Sequence, residues 1–363
     1  MHDIVVIGGG VAGLASVRAL QRLGGAPTLI MPTERTRESH GETLGPAARE
    51  SLTMLGWHHL LDDPAVALPV EAVYSVWGSD VLTRRTGDRV SELLGWHVDR
   101  QRLEAVMRAS LDPTRLRVIE AVPRRIERAP EGWRFHLSSG DSQTARFVID
   151  ASGRAAVVAR MFGTPRRLDR LIAAFKAYEV PDADVHRAIL VEAMPSGWWY
   201  TSPLPNRRLF VAHFSDADLL PKAVRRDNTV WPRLLKEAPC TSARFKSLGV
   251  SPSEPTPSVI AASTVVQLEP HGADWAAVGD AAATLDPLGS HGLSVALWSG
   301  ERVASAALAA LNGDGAPLET YAVALTGGLA RFAAASVVYY REEGRFPDAP
   351  FWQRRRAARW PTP

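Results

Sequence analysis

The sequence predicts an α/β protein: a discontinuous strand–helix–strand domain, interrupted by a β-rich region and followed by C-terminal helices. Three observations predict it. The opening Asp3-Ile4-Val5-Val6-Ile7 is a β-branched run closed by glycines and followed by Leu14, Val17, Leu20 and Leu23 at helical spacing. Between about residues 168 and 260, apolar and aromatic runs alternate with turn residues. An alanine-rich helical pattern then runs from about Gly292 to Leu311.

Each element follows from its residues. Strand, tight turn and helix open the chain, and Thr28-Leu29-Ile30-Met31 completes a parallel unit whose crossover is right-handed. From Leu116 to Ala151 short strands are expected over Arg117–Glu127, Gly132–Leu137 and Ala145–Ala151, separated by Pro130-Glu131-Gly132 and by Ser138-Ser139-Gly140-Asp141. Trp198-Trp199-Tyr200 and Arg208 to Phe214 read as strands of the β-rich region. Pro252, Pro255 and Pro257 break helix and sheet alike, so residues 251–258 read as a return linker. A strand over Trp275 to Gly279 leads to the last long helical pattern. The expected division is therefore 1–75, 95–165 and 259–312 for the nucleotide-binding domain, 76–94 and 166–258 for a β-rich substrate domain, and 313–363 for a C-terminal helical segment.

Composition narrows the function classes. With 363 residues, 46% hydrophobic and 22% charged, the chain is an ordinary globular protein, and a net charge of +3 argues against nucleic acid or a membrane surface as partner. Cys240 is the single cysteine, so no internal disulfide and no thiolate metal cluster is expected; no metal site and a cytoplasmic location follow. The start of the chain lacks the basic and long apolar regions of a secretory signal. The apolar stretches Val303–Leu311 and Leu325–Tyr340 are interrupted by Asn312, Arg331 and glycines, and neither is expected to reach the length of a membrane span. Arg354-Arg355-Arg356 reads as part of a solvated terminal helix.

Gly8-Gly9-Gly10-Val11-Ala12-Gly13 fits G-x-G-x-x-G directly between a strand and a helix. This is the Rossmann-type dinucleotide fingerprint. Gly8 allows the tight turn, Gly10 lets backbone approach a pyrophosphate, and Gly13 lets helix and strand pack closely, with the anion on the helix N-terminus beside Val11 and Ala12. The acidic residue that usually holds the adenosine ribose is due about 20 positions further on, where Met31 to Thr33 stand. Glu34 lies just beyond and is the candidate. Later, Trp275-Ala276-Ala277-Val278-Gly279-Asp280 offers a carboxylate at a strand end, and Asp286-Pro287-Leu288-Gly289-Ser290-His291-Gly292-Leu293 leads into a helix whose N-terminus suits a flavin pyrimidine edge. A nicotinamide dehydrogenase needs no such second site, so FAD is the expected cofactor.

These motifs resemble the p-hydroxybenzoate-hydroxylase-like flavoprotein superfamily. The resemblance rests on Gly8 to Gly13, on Arg100 in His97-Val98-Asp99-Arg100, on Val148-Ile149-Asp150-Ala151-Ser152-Gly153 and on Gly279-Asp280, and it implies that Arg100 and Asp280 touch FAD. Within it, the chain is similar to flavin-dependent halogenases and to LodB-like flavoproteins that modify tryptophan side chains. Gly41-Glu42-Thr43-Leu44-Gly45-Pro46, Gly197-Trp198-Trp199-Tyr200-Thr201-Ser202-Pro203-Leu204-Pro205 and the 286–292 segment carry that likeness, as do Tyr339-Tyr340 and Phe351-Trp352. The likeness implies His291 beside the flavin ring, with Pro287, Gly289, Gly292 and Leu293 along it. Halogenases place a lysine well before the Asp-x-x-Gly strand, whereas no lysine here precedes Lys176, which speaks against halogenation.

The expected activity is hydroxylation of an aromatic ring, indole or tryptophan-like rings included, using O2 through a flavin hydroperoxide, with electrons from NAD(P)H or a partner reductase. Two alternatives stand beside it: modification of a tryptophan in a client protein, and flavin-dependent reduction or dehydrogenation. His291 is the candidate proton donor or base. Glu42 either orients substrate or flavin, or caps the helix after Pro46. Trp199, Tyr200 and His213 are candidate substrate contacts, although strand aromatics on one face alone can line a pocket. His97 is a weaker candidate.

Overall fold

The computed structural model describes residues 2–33, 41–86, 94–181, 187–252 and 256–357. Among these, the helices are α1 (Val11–Arg22), α2 (Ala48–Leu55), α3 (Arg100–Ala109), α4 (Val230–Lys236), α5 (Pro239–Ser247), α6 (Gly292–Leu311), α7 (Ala316–Glu342) and α8 (Pro350–Ala357). The β-branched run at the start becomes the strand His2–Ile7, fully buried from Ile4 onward, and it sits at the centre of a sheet. Strands Ser142–Asp150 and Thr28–Met31 flank it in parallel, with Val6 opposite Ile149 and Leu29. Trp275–Ala277 and Arg117–Glu120 extend the parallel set outward on either side. Buried on both faces, such strands read as continuous apolar runs.

The stretch Arg117–Glu127, expected as one strand, is two. Arg117–Glu120 pairs with Thr28–Met31, whereas Pro123–Ala129 pairs antiparallel with Gly132–Leu137. Pro123 lacks the N–H that would continue the first ladder, so the chain leaves the parallel sheet there.

A second sheet is seven-stranded and mostly antiparallel, in the order Ser258–Ala261, Leu171–Glu179, Arg208–Asp216, Gly197–Leu204, Ala188–Met194, Ala72–Val76 and Thr83–Thr86. The expected domain boundary after residue 75 thus runs through the strand Ala72–Val76, all of which pairs in this sheet. Period-two alternation splits its side chains. Trp198, Phe175, Phe210 and Phe214 share one core with Tyr340, Phe351 and Trp352, from α7 and α8. Trp199, Tyr178, Leu209 and Val211 share another with Trp231 and Phe245 of α4 and α5.

A small sheet of Gly41–Leu44, Trp96–Asp99 and Ala67–Pro69 packs against the seven-stranded one, Thr43 meeting Tyr200 and His97 meeting Ser202. α7 overturns the expectation about span length: the interrupted run is one continuous helix of 27 residues that contains an 18-residue window with a mean hydropathy of 1.4, long and apolar enough by length and composition to cross a membrane. Here a stripe of Leu318, Tyr321, Leu325 and Leu329 is buried in the core of the nucleotide-binding part.

Candidate functional site

The glycine turn explains itself only in part. Gly8 has φ +114°, and a Cβ there would lie 2.2 Å from the Ala151 carbonyl oxygen; a Cβ on Gly13 would lie 1.9 Å from the carbonyl oxygen of Gly8. Those two glycines are required by the protein's own backbone. At Gly10 the nearest atoms to an added Cβ are Glu104 Oε1 at 3.6 Å and Arg100 Nη2 at 3.9 Å, and the backbone is extended. Nothing in the fold demands glycine there. Gly10 is also the N-cap of α1 with no side-chain cap and no acidic residue in the first turn, which leaves N–H donors and the positive end of the helix dipole facing the turn. A diphosphate supplies what this cradle lacks.

Beside it, Arg100 at the start of α3 donates to Glu42 Oε1 at 2.5 Å and to Glu104 Oε1 at 2.9 Å. The Glu42 carboxylate, ahead of burial, holds the guanidinium firmly charged. Glu42 therefore belongs to an ion pair on the strand Gly41–Leu44, and the helix-capping alternative falls away: the N-cap of α2 is Ala47, with no side-chain cap. Asp280 sits in the 3₁₀ turn Gly279–Ala281. Burial raises its pKa, with Arg154 and Arg100 pulling it back.

At the expected ribose position Met31 replaces a carboxylate. Its thioether accepts from Arg108 Nη2 at 2.7 Å, and it packs over Gly9, where a Cβ would approach Met31 Sδ to 2.9 Å. Glu34 lies outside the described residues.

The segment 286–293 folds as a tight loop against Gly45, whose Cβ position is 3.6 Å from the Ser290 carbonyl oxygen and 3.7 Å from Ser294 Oγ. Asp286 holds the loop from inside. Its Oδ1 accepts from the Leu288 N–H at 3.0 Å and its Oδ2 from the Tyr340 hydroxyl at 2.8 Å; burial lifts its pKa to about 6. Pro287 and Gly289 form the following 3₁₀ turn and Ser290 takes a left-handed φ of +53°. Gly289 has no room for a side chain between His291 and Phe332.

His291 meets the edge of Phe332 from α7 at 4.3 Å between ring centroids, and burial lowers its pKa. It is the uncapped N-cap of α6. Gly292 and Leu293 begin that helix, and one residue on, Ser294 Oγ is buried without a hydrogen-bond partner among the described residues. An uncapped helix start with an orphaned hydroxyl suits a polar ring edge such as that of a flavin.

The substrate candidates divide. Tyr200 points toward the small sheet, its hydroxyl 2.6 Å from Thr43 Oγ1, and burial raises its pKa. On the same side, His97 Nδ1 lies 2.7 Å from Ser202 Oγ while Nε2 has no hydrogen-bond partner among the described residues; burial brings its pKa down to about 4. Trp199 and His213 stack on each other at 4.8 Å on the opposite face, against Trp231. They are corrected as companions of Tyr200, because neighbouring strand residues face opposite ways. There they border a cavity of about 110 Å3 near Met194 and Leu234.

Thr43, Asp286, Ser294 and Tyr340 were not singled out from the sequence. Only their partners across the fold, such as Thr43 with Tyr200 157 positions later, give them a place in the site. Thr43, Asp286 and Tyr340 did stand within motifs already quoted.

The family described as tryptophan halogenase matches residues 90–363. A putative FAD-dependent oxidoreductase, LodB, from Marinomonas mediterranea is 24% identical over 98% of this chain and 97% of its own. A tryptophan 2-halogenase from Chondromyces crocatus is 23% identical over 96% of this chain and 69% of its own. Among solved structures, the peptidyl tryptophan dihydroxylase QhpG, described as essential for tryptophylquinone cofactor biogenesis, superposes with TM-score 0.79 at 24% identity, covering 98% of this chain and 78% of that one. The myxobacterial chondrochloren halogenase CndH, an FAD-dependent halogenase, gives TM-score 0.84 at 21% identity over 98% and 85% of the two chains.

Proposed function

The chain belongs to the tryptophan halogenase family and is an FAD-dependent oxidoreductase; from that premise we propose that it hydroxylates an electron-rich aromatic substrate, of indole or tryptophan type, with O2. The observation that carries hydroxylation over halogenation is the placement of lysine. The chain has lysine only at Lys176, Lys222, Lys236 and Lys246. Lys176 pairs with Val211 and lies over the Tyr178 ring, on the sheet face of Trp199. Lys222 follows in a short 3₁₀ turn, and Lys236 and Lys246 belong to α4 and α5, the helices that cover that same face. None stands with Tyr200 and the 286–293 loop, so this side holds no amine to carry an oxidised halide.

Bound FAD, once reduced, supplies the oxygen-activating chemistry. The residues supply the rest. The α1 N-terminus and Gly10 would hold the diphosphate, Arg100 stays charged beside Glu42, and the α6 start with Ser294 would receive the ring edge. His291, with a pKa lowered by burial, is neutral at pH 7 and can accept a proton at the substrate side. Tyr200 and Thr43 orient a planar ring. Electrons come from NAD(P)H or a partner reductase.

A second reading, a tryptophan within a client protein as substrate, is supported by α7. Its inner face carries Phe332 onto His291, while Val323, Val338 and Tyr339 on it are more than half exposed, an apolar surface a protein partner would cover. One experiment separates these readings. FAD-loaded protein is given chemically reduced flavin, 18O2 and bromide with L-tryptophan, indole or tryptophan-containing peptides, and products are weighed by mass spectrometry. One or two 18O atoms on a free ring support the proposal, and label confined to peptides supports the client reading. Brominated product would overturn hydroxylation.

A further inference from the structure

Trp77, Trp198, Tyr340 and Trp352 form a group of oxidisable rings that the reaction above does not use. Trp77 sits half-buried just past the strand Ala72–Val76. Its ring centroid lies 5.1 Å from that of Trp352, 6.0 Å from Tyr340 and 6.5 Å from Trp198, the spacing of aromatic rings in contact. The other three are buried. At the inner end Trp198 Nε1 donates to the Tyr340 hydroxyl at 3.2 Å, and that hydroxyl donates to Asp286 Oδ2 at 2.8 Å. One row of contacts therefore joins the protein surface to the first residue of the 286–293 loop.

Packing alone does not ask for these residue types. Phe175, Phe210 and Phe214 fill the same core with no polar atom to satisfy. The group instead brings in three indole N–H donors and a phenol and gives each a partner: Trp77 Nε1 donates to the Tyr339 carbonyl at 2.7 Å and Trp352 Nε1 to the Met194 carbonyl at 2.8 Å. Indoles and phenols share a property that phenylalanine lacks, since each gives up one electron readily. A phenol that does so must also shed its proton, and Tyr340 has a carboxylate within hydrogen-bond reach to take it. The other charges felt at Asp286 are Asp169 and Arg355. Arg355 lies 5.3 Å over the Tyr340 ring and pairs with Asp216.

We propose that Tyr340, Trp198 and Trp77 carry a one-electron oxidising equivalent from the cofactor loop to the surface, sparing the site when O2 is reduced with no substrate to receive it. The proposal rests on the flavin reading above. An oxygen radical of hydroxyl type in the groove takes one electron and leaves as hydroxide; Tyr340 supplies that electron while its phenolic proton passes to Asp286. An electron then comes from Trp77, directly or through Trp198, and the proton returns from Asp286 to Tyr340. The electron vacancy now sits on the Trp77 indole. At the surface a soluble one-electron reductant such as ascorbate fills it. One electron enters for each that leaves, and the protein ends unchanged.

The path can be read in reverse on FAD-loaded protein. Pulse radiolysis in azide makes azidyl radicals that oxidise accessible indoles, and absorbance with EPR separates indolyl from tyrosyl radicals. In wild type the indolyl signal should give way to a tyrosyl signal, faster at pH 7.5, where Asp286 with its pKa of about 6 is ionised, than at pH 5. Trp77→Phe, which keeps a ring in place, should cut the tyrosyl yield at least threefold. Tyr340→Phe should cut it at least as far and lengthen the life of the indolyl radical. A second arm reads the outward direction: wild type and Trp77→Phe are reduced chemically and cycled in O2 without substrate, and oxidised side chains along residues 286–293 are counted by peptide mass spectrometry. The variant should accumulate at least twofold more. Equal tyrosyl yield in all three proteins, or equal damage in the second arm, overturns the proposal. A colourless protein would sink the flavin reading alone, because azidyl radicals report transfer between Trp77 and Tyr340 without the cofactor.

Discussion

Glycines 8, 10 and 13 look alike in the sequence and differ in what enforces them. A methyl on Gly13 would collide with the Gly8 carbonyl oxygen, and a methyl on Gly10 would meet only the tips of Glu104 and Arg100. Gly13→Ala is therefore expected to lower stability by about 1–3 kcal/mol through overpacking, whether or not FAD is present. Gly10→Ala should change the stability of the FAD-free protein by less than about 1 kcal/mol, its N-cap contribution, and weaken FAD at least tenfold. Urea unfolding of both variants, with FAD binding followed by absorbance, checks the contrast. Equal loss of stability in the two would mean that the Gly10 cradle is a packing feature. At this scale the fingerprint was readable in full, since strand, turn and helix are contiguous. The ribose partner was not, because Met31 stands where a carboxylate was due and Arg108 comes from another helix.

Between elements, the loop 286–293 depends on a helix some 50 residues away. Tyr340 near the end of α7 donates to Asp286, and Trp198 Nε1 of the large sheet donates to Tyr340 at 3.2 Å. Three elements meet at one hydroxyl. Tyr340→Phe leaves Asp286 Oδ2 and the Trp198 N–H without that partner in a buried site, at a cost of about 1–3 kcal/mol. It also removes a hydrogen bond that favours the ionised carboxyl, so the Asp286 pKa should climb above its present value of about 6. The expected result is a lower Tm together with a shifted absorbance spectrum of bound FAD, the second arising only if the loop carries the flavin ring. A lower Tm with an unchanged spectrum would reduce Tyr340 to a packing role. Local pattern found α6 to the residue, and it found Thr28–Met31 and Gly132–Leu137, while the expected strand Arg117–Glu127 proved to be two. What it missed is which faces meet, as with Trp199 and Tyr200, because sheet order decides that and sheet order is non-local.

Across the whole molecule, burial of ionisable groups sets how the fold responds to acid. His97 stands between the small and large sheets and His213 between the large sheet and α4, and burial takes each from 6.5 to about 4. The unfolded chain takes up protons at these rings below pH 6.5, whereas the folded chain resists until about pH 4. The unfolded state thus binds more protons in that window, and stability falls as pH drops through it. Each ring accounts for on the order of 3 kcal/mol at the acid end. Asp286 acts in the opposite sense. Its folded pKa of about 6 lies above its unfolded 3.8, so it stabilises at low pH, and that contribution fades as pH rises through 6. Among these three groups, the two histidines outweigh the one carboxyl toward acid. His213 is the clean probe, because neither ring nitrogen has a hydrogen-bond partner among the described residues and leucine removes a buried polar group that gains little from the fold. His213→Leu should match or exceed wild-type stability at pH 7.5 and lose distinctly less on going to pH 4.5, as read from urea midpoints at the two pH values. An unchanged pH slope in that variant would mean that His213 is protonated or hydrated in the folded protein, and that the cavity beside it is wet.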